Sequence, residues 1–237
     1  MNLKDRIAVV TGATEGIGRA TAFALGAAGA QVAICARTKR YVDETVAALE
    51  SEGMTAAGAT CDVGAPEDVE RFAAFVRKSF GDPHILVNNA GIGRFGNLEE
   101  LSLDDWDGTI RTNVRSLFLM TRAFLPAMKA RGSGDIVNVV SLAGRNGFPG
   151  GTAYSASKHA ALGFSRSLLL EARPHGVRVI AVLPGSVHTP FFDKQSQMNP
   201  DRERILRPED VARVIVDALT LPSRATVSEL DVRPANP

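Results

Sequence analysis

The amino-acid sequence predicts an α/β fold: one doubly wound domain, a parallel sheet of about seven strands with helices on both faces. Three observations lead there. Short Val- and Ile-rich runs alternate with helically periodic segments along nearly all 237 residues. The runs are apolar throughout, as expected for strands buried on both faces of a parallel sheet. No linker, repeat or low-complexity tract interrupts the alternation, so residues 1–237 read as a single domain.

Each element follows in order. "IAVVTG" is the first strand, followed by a helix over Gly16–Ala28. "QVAICA" is the second, with a helix over Val42–Glu52, and the weaker "TAAGATCDV" is the third, with a helix over Pro66–Phe80. "HILVNNAG" leads into a long crossover helix, Leu103–Arg131. "DIVNVVS" precedes the helix Thr152–Arg173, where Thr152 is placed to cap the first turn. After "VRVIAVLPG" the irregular stretch at roughly 190–207, with its proline and glutamines, is expected to form a substrate lid. A last helix, Pro208–Leu219, opens on a proline and acidic residues, and "VSELDV" closes the sheet.

Composition excludes several functions. With 27 basic and 26 acidic residues the formal charge is +1, which gives no electrostatic case for nucleic acid or an anionic membrane. There is no apolar run of eighteen residues and no signal-peptide pattern, so the expectation is a cytoplasmic protein with no membrane partner. Cys35 and Cys61 each end an apolar stretch and read as buried thiols in a reducing compartment. No pair among the four histidines has metal-ligand spacing, so no metal is expected. His188 reads as an exposed loop residue and Trp106 as packing.

Two stretches carry chemistry. The first strand turns into its helix through "TGATEGIG", with Gly12, Thr14, Gly16, Ile17 and Gly18. Glycines let the backbone turn tightly, let a phosphate approach the amides at the helix N-terminus, and let the helix pack close to the sheet. In that position the turn points to a dinucleotide. The second stretch is "GGTAYSASKHA". Tyr154 is one of two tyrosines and stands four residues before Lys158, on one helical face. A free phenol has a pKa near 10 and is a poor base at neutral pH, whereas a nearby ammonium favours the phenolate. The spacing alone fits both an ordinary helical turn and a proton-transfer pair.

"TGATEGIG", "NNAG", "SLAG" beginning at Ser141, "YSASK" and "PGSVHTP" together resemble the short-chain dehydrogenase/reductase family, from Arg6 to about Val232. The resemblance implies a Rossmann-type domain and an oxidoreductase that interconverts a ketone and a secondary alcohol. It implies that Tyr154 is the general acid/base, that Lys158 lowers its pKa and holds the cofactor ribose, and that Ser141 donates to the substrate carbonyl. Asn113, in "RTNVRS", resembles the family asparagine that kinks its helix and holds a water contacting the lysine. A regulatory or scaffold protein that binds NADP on the same fold is the alternative; such a protein is expected to lack one of these four residues, and all four are present.

The resemblance also implies NADP(H) rather than NAD(H). Ala36 stands where an NAD-preferring relative carries an acid, and Arg37 follows, placed to hold a 2′-phosphate. Glu15 pulls the other way, at a position that is basic in many NADP-dependent relatives. Asp62 resembles the residue that accepts from the adenine amino group, with the Val63 amide beside it. Asn89 and Gly91 of "NNAG" leave space for the ribose, and the Val187 amide and Thr189 hydroxyl would hold the nicotinamide carboxamide. The pocket floor is implied in "LAGRNGFPGG", with Arg145, Asn146 and Phe148 as contacts. The ending "SELDVRPANP" looks more like the 3-hydroxy-acid dehydrogenase and carbonyl reductase branch than the 3-oxoacyl-carrier-protein reductases. The implied partner is therefore a small-molecule carbonyl or alcohol of 3-oxoacyl or 3-hydroxy-acid type. The implied assembly is a homo-oligomer, tetramer or dimer, paired through the two long helices.

Overall fold

The computed structural model of the chain describes residues 3–191, 193 and 201–235. Seven strands form one sheet in the order β3-β2-β1-β4-β5-β6-β7. They are β1 (Ile7–Thr11), β2 (Gln31–Ala36), β3 (Ala56–Thr60), β4 (Ile85–Asn88), β5 (Gly134–Val139), β6 (Val177–Pro184) and β7 (Glu229–Val232). Every pairing is parallel. The strand order reverses beside β1, where β2 and β4 flank it, and this opens a crevice above the carboxyl ends of the strands.

Among the described residues seven α-helices cover the sheet: α1 (Gly16–Ala27), α2 (Lys39–Ser51), α3 (Pro66–Ser79), α4 (Leu103–Ile110), α5 (Ser116–Arg131), α6 (Thr152–Ala172) and α7 (Pro208–Leu219). Strand side chains alternate between two cores. Ala8 and Val10 of β1 face one with Leu25 of α1, Leu49 of α2 and Ile215 of α7. Val9 faces the other with Phe72 of α3, Phe124 of α5 and Leu168 of α6. Each of these large side chains contributes about 1.5–3 kcal/mol by leaving water.

Three elements differ from the sequence expectation. Helix α2 begins at Lys39 rather than Val42, because Lys39 pairs with Asp43 at 2.6 Å and Arg40 with Glu44 at 2.7 Å, supporting an extra turn. The crossover expected as one helix is divided: α4 and α5 are joined by a π-helical turn, Arg111–Arg115, centred on Asn113. Thr152 does not cap α6. Gly151 is the N-cap residue, with no side-chain cap, and a side chain at 151 would collide with the Phe148 ring.

At the amino ends of the strands Asp135 is 1% exposed and receives Arg6 at 2.6 Å and Arg178 at 2.5 Å. Arg178 also donates to the carbonyls of Leu219, Leu221 and Ala225, fastening the end of α7 to the sheet. The expected lid at 190–207 is described only at 190, 191, 193 and 201–207; the rest lies outside the described residues. Its far end is joined to the segment after β6 by a parallel bridge between Val187 and Leu206.

Candidate active site

A cavity of about 940 Å³ lies over the carboxyl ends of the strands, from Arg37 and Asp62 at one end to Ser141, Tyr154 and Lys158 at the other. Its first wall is the turn after β1. Gly12 has φ +63, and a Cβ there would lie 2.9 Å from the Ala90 backbone. A side chain at Gly18 would run into Asn89 and the Gly12 carbonyl. Asn89 holds that turn: its Nδ2 donates to the carbonyls of Thr11 at 2.9 Å and Gly12 at 3.1 Å. Thr11 Oγ1 returns the tie by accepting from the Asn89 and Ala90 amides, both at 3.0 Å. Asn89 is thus a brace for the glycine turn, a more specific task than leaving room for a ribose.

The same end of the cavity fits an anionic dinucleotide. Helix α1 starts at the cavity with Glu15 as its N-cap residue, which makes no side-chain cap. The amides of the first turn and the positive dipole end therefore suit a phosphate, while the Glu15 carboxylate shares the wall. Gly16, Ile17 and Thr14 line the cavity there. Lys39 and Arg40 are taken up by α2's own carboxylates, whereas Arg37 is exposed, lines the cavity and has no ion-pair partner among the described residues. Asp62 is held at its turn: Oδ1 accepts from the Gly64 amide at 2.9 Å and Oδ2 faces Arg111 at 3.1 Å. Val63 lines the wall beside it. At the far side, the bridge to Leu206 uses the Ser186 carbonyl and the His188 amide. In a parallel bridge this turns Val187's own amide to the opposite side. Thr189 packs near Gly16 and also lines the cavity. His188 is exposed and is not part of the wall.

The other end carries the reactive groups. Ser141 leaves β5 in extended backbone, accepts from the Ala143 amide at 3.1 Å, and lines the cavity together with Tyr154. Lys158 is 6% exposed; its Nζ donates to the Val139 carbonyl at 3.1 Å and stands 5.7 Å from the Tyr154 ring centroid. Burial pulls the ammonium down to about 8. Burial pushes the Tyr154 phenol up to about 12, and the Ser141 hydroxyl offsets part of that rise. At that distance, and donating to the Val139 carbonyl, the Lys158 ammonium alone does not offset the desolvation of the phenol.

Asn113 is buried, and its carboxamide is fully engaged. Oδ1 accepts from the Ile92 amide at 2.8 Å, and Nδ2 donates to the Ile92 carbonyl at 2.8 Å and Ser157 Oγ at 3.0 Å. Ser157 in turn donates to the Tyr154 carbonyl at 2.7 Å. Asn113 therefore acts on the chain around Gly91 and on the first turn of α6 rather than on Lys158 directly. A Cβ at Gly91 would lie 3.3 Å from Asn113 Oδ1 and 3.6 Å from Lys158 Nζ, so the three meet at one point.

Most of the sequence-derived residues line this cavity; Gly18 and Asn113 stand behind its wall, and Arg145 lies away from it. Asn146 and Phe148 line the cavity, but Arg145 is held by Glu229 at 2.5 Å and Asp231 at 3.2 Å, on β7. Its neighbours in sequence looked like a pocket floor; two carboxylates from the edge strand claim its charge instead. Sequence reasoning missed Thr11, Ser157 and Phe95, and placed Phe191 only as part of the lid segment. Ser157 lay within "YSASK", and Phe95 is an aromatic in the glycine-rich "GIGRFGN", which is the signal that could have found it.

A parallel sheet with a glycine turn at one end of its crevice and a serine, tyrosine and lysine at the other defines a class: nucleotide-binding oxidoreductases of the Rossmann type. The family model for short chain dehydrogenase matches residues 6–200, and the chain belongs to that family. Dehydrogenase/reductase SDR family member 4 from Pongo abelii and from Homo sapiens is 37% identical over 223 residues, covering 90% of this chain and 80% of the relative. A solved alcohol dehydrogenase from Thermococcus sibiricus, complexed with 5-hydroxy-NADP, superposes with a TM-score of 0.90 at 33% identity, covering 97% of both chains. A point variant of actinorhodin polyketide ketoreductase with NADPH gives the same score and identity, covering 99% of this chain and 98% of its own. No helix among the described residues is long and apolar enough to cross a membrane.

Proposed function

We propose that the protein is an NADP(H)-dependent oxidoreductase that interconverts a ketone and a secondary alcohol, with Tyr154 as general acid/base. The observation that supports this most is the meeting of Ser141, Tyr154 and, one turn further along α6, Lys158 at one end of a cavity that extends to Arg37. The amides opening α1 would hold the cofactor's diphosphate, Arg37 its 2′-phosphate, Asp62 and Val63 the adenine, and Val187 and Thr189 the nicotinamide carboxamide. When bound, the nicotinamide supplies or accepts the hydride. In the reducing direction Ser141 donates to the substrate carbonyl and fixes its oxygen near Tyr154. Tyr154, a neutral phenol well beyond pH 7, gives that oxygen its proton. Lys158 binds the ribose hydroxyls and, as an ammonium below about pH 8, favours the phenolate left behind.

The names of the solved neighbours, complexed with NADP-type cofactors, support the cofactor reading. The substrate is a small carbonyl or hydroxyl compound of 3-oxoacyl or 3-hydroxy-acid type. The free, buried thiols Cys35 and Cys61 fit a reducing cytoplasm. Exposed Phe118 on α5 and Leu170 on α6, at 49% and 58%, fit association of two chains through these helices, which light scattering would detect as a dimer or tetramer.

The test is turnover of β-keto esters and diketones with NADPH and NADH in parallel, for wild type and Arg37→Ala. NADPH should be preferred, and the variant should raise KM for NADPH on the order of 10- to 100-fold while leaving NADH nearly unchanged, as loss of a charge-assisted phosphate contact requires. Equal use of both cofactors by wild type would remove the NADP assignment. Tight NADPH binding with no turnover would favour the scaffold alternative.

A further inference from the structure

Three phenylalanines from three separate loops gather beside Tyr154, Phe95 and Phe191 against its ring and Phe148 against Phe95. The Phe95 ring lies 5.3 Å from the Tyr154 ring, edge-on, 5.7 Å from Phe148 and 5.9 Å from Phe191; Phe191 lies 5.8 Å from Tyr154. All three are half-buried and line the cavity. Such a grouping is built rather than incidental, because two backbone positions are vacated for it. A Cβ at Gly93 would lie 2.5 Å from the Phe191 ring and 2.7 Å from the Phe95 ring, and one at Gly151 would collide with Phe148. The Gly96 amide donates to the Gly150 carbonyl at 3.0 Å, joining the two loops that carry Phe95 and Phe148. Aromatic rings recognise another ring through edge-to-face and offset contacts that a flexible alkyl chain does not make, and a planar ring surrenders less rotamer freedom on binding.

We infer that Phe95, Phe148 and Phe191 form an aromatic subsite beside Tyr154 that takes a planar ring attached to the substrate carbonyl, so that aryl-substituted 3-oxo compounds are favoured over those bearing a flexible alkyl chain. The inference rests on the reading of Tyr154 as the proton donor. It assigns the larger substituent of the ketone to the phenylalanine side and leaves the ester or acid end toward the cavity's opening.

The test compares ethyl benzoylacetate with ethyl 3-oxononanoate, which place six carbons each on the ketone, using NADPH. The readout is the ratio of their kcat/KM values in wild type, Phe95→Leu and Phe148→Ala. Taken within one variant, the ratio cancels any loss of folded protein, and the carbonyls' intrinsic reactivities are the same throughout. The aryl-to-alkyl ratio should fall about tenfold in each variant, the size expected from losing one or two ring contacts. An unchanged or rising ratio overturns the subsite. If wild type reduces neither ketone, the proposed function fails, and the subsite is judged separately by calorimetry with the corresponding alcohols in the presence of NADPH. Tighter binding of the phenyl alcohol than of the hexyl alcohol supports it, and equal or weaker binding overturns it.

Discussion

Burying an ammonium beside a phenol costs stability, and Lys158 shows where that cost falls. Its native value of about 8 lies below the ordinary 10.5, so between those values the unfolded chain binds a proton that the folded chain does not. Stability from this residue therefore rises with pH through that window, and the full penalty is present below about pH 8. Lys158→Met removes the charge but leaves the Val139 carbonyl without its donor, so the expected net gain at pH 6–7 is about 1–3 kcal/mol. Thermal or urea unfolding of both proteins from pH 6 to 10.5 should show the gap closing; a gap constant across that range means that buried charge is not its source. Activity should run the opposite way. The variant loses turnover, and wild-type ketone reduction should decline above pH 8 as the ammonium deprotonates. Tyr154 stays protonated to about 12, so it does not limit that profile. Tyr154→Phe should lower kcat about 10²- to 10⁴-fold, the range for a lost general acid, with cofactor affinity nearly unchanged. Substantial residual turnover would remove the tyrosine from the chemistry.

Among the elements, the π turn Arg111–Arg115 does the most to shape the site. It places Asn113 where a regular helix would carry the side chain past Ile92, and three hydrogen bonds then tie the crossover to the loop after β4 and to α6. Asn113→Ala leaves the half-buried Ile92 amide and carbonyl without these partners, which should cost roughly 1–3 kcal/mol in unfolding experiments. Because Ser157 and the Tyr154 carbonyl are next in the chain of contacts, kcat should fall about tenfold or more while KM for NADPH changes little. A drop in stability with unaltered kcat would reduce Asn113 to a structural brace. Elements of this kind mark the limit of what the sequence reveals. Strands and helices were legible because apolar periodicity is local: Val10 is buried against Ile34 and Val87 as its run of neighbours implies. The Tyr154–Lys158 relation was legible for the same reason, being one helical turn. A π turn has no periodicity of its own, and Arg145's departure to β7 depends on carboxylates more than eighty residues away. The aromatic grouping was hidden likewise, since Phe95, Phe148 and Phe191 lie on three loops with no pattern linking them.

Across the whole molecule, the sheet separates a catalytic end that holds the cavity from an opposite end clamped by ion pairs. At the amino ends of the strands one nearly inaccessible carboxylate, Asp135, serves two guanidiniums, and Arg178 extends the grip to the last turn of α7. His84 lies in the same group: Nδ1 accepts from the Ile7 amide at 3.1 Å, and burial, then Arg131 and Arg6, lower its pKa. It is therefore neutral in the folded state at neutral pH, and Asp135 is the principal negative charge balancing this cationic end. Replacing a well-paired ion by apolar groups throughout can be neutral, but removing one partner leaves the others buried and uncompensated. Asp135→Ala should accordingly cost about 3–5 kcal/mol, and it should lower the His84 pKa further by removing the carboxylate that raises it. Since Ser141 and Tyr154 stand beyond the other ends of the strands, kcat per folded molecule should be unchanged. Denaturant melts together with active-site-normalised kinetics would separate the two effects. A stable Asp135→Ala protein would mean that the clamp is no more than balanced by its own desolvation, and a fall in kcat at full folding would show that the two ends of the sheet are coupled through β5.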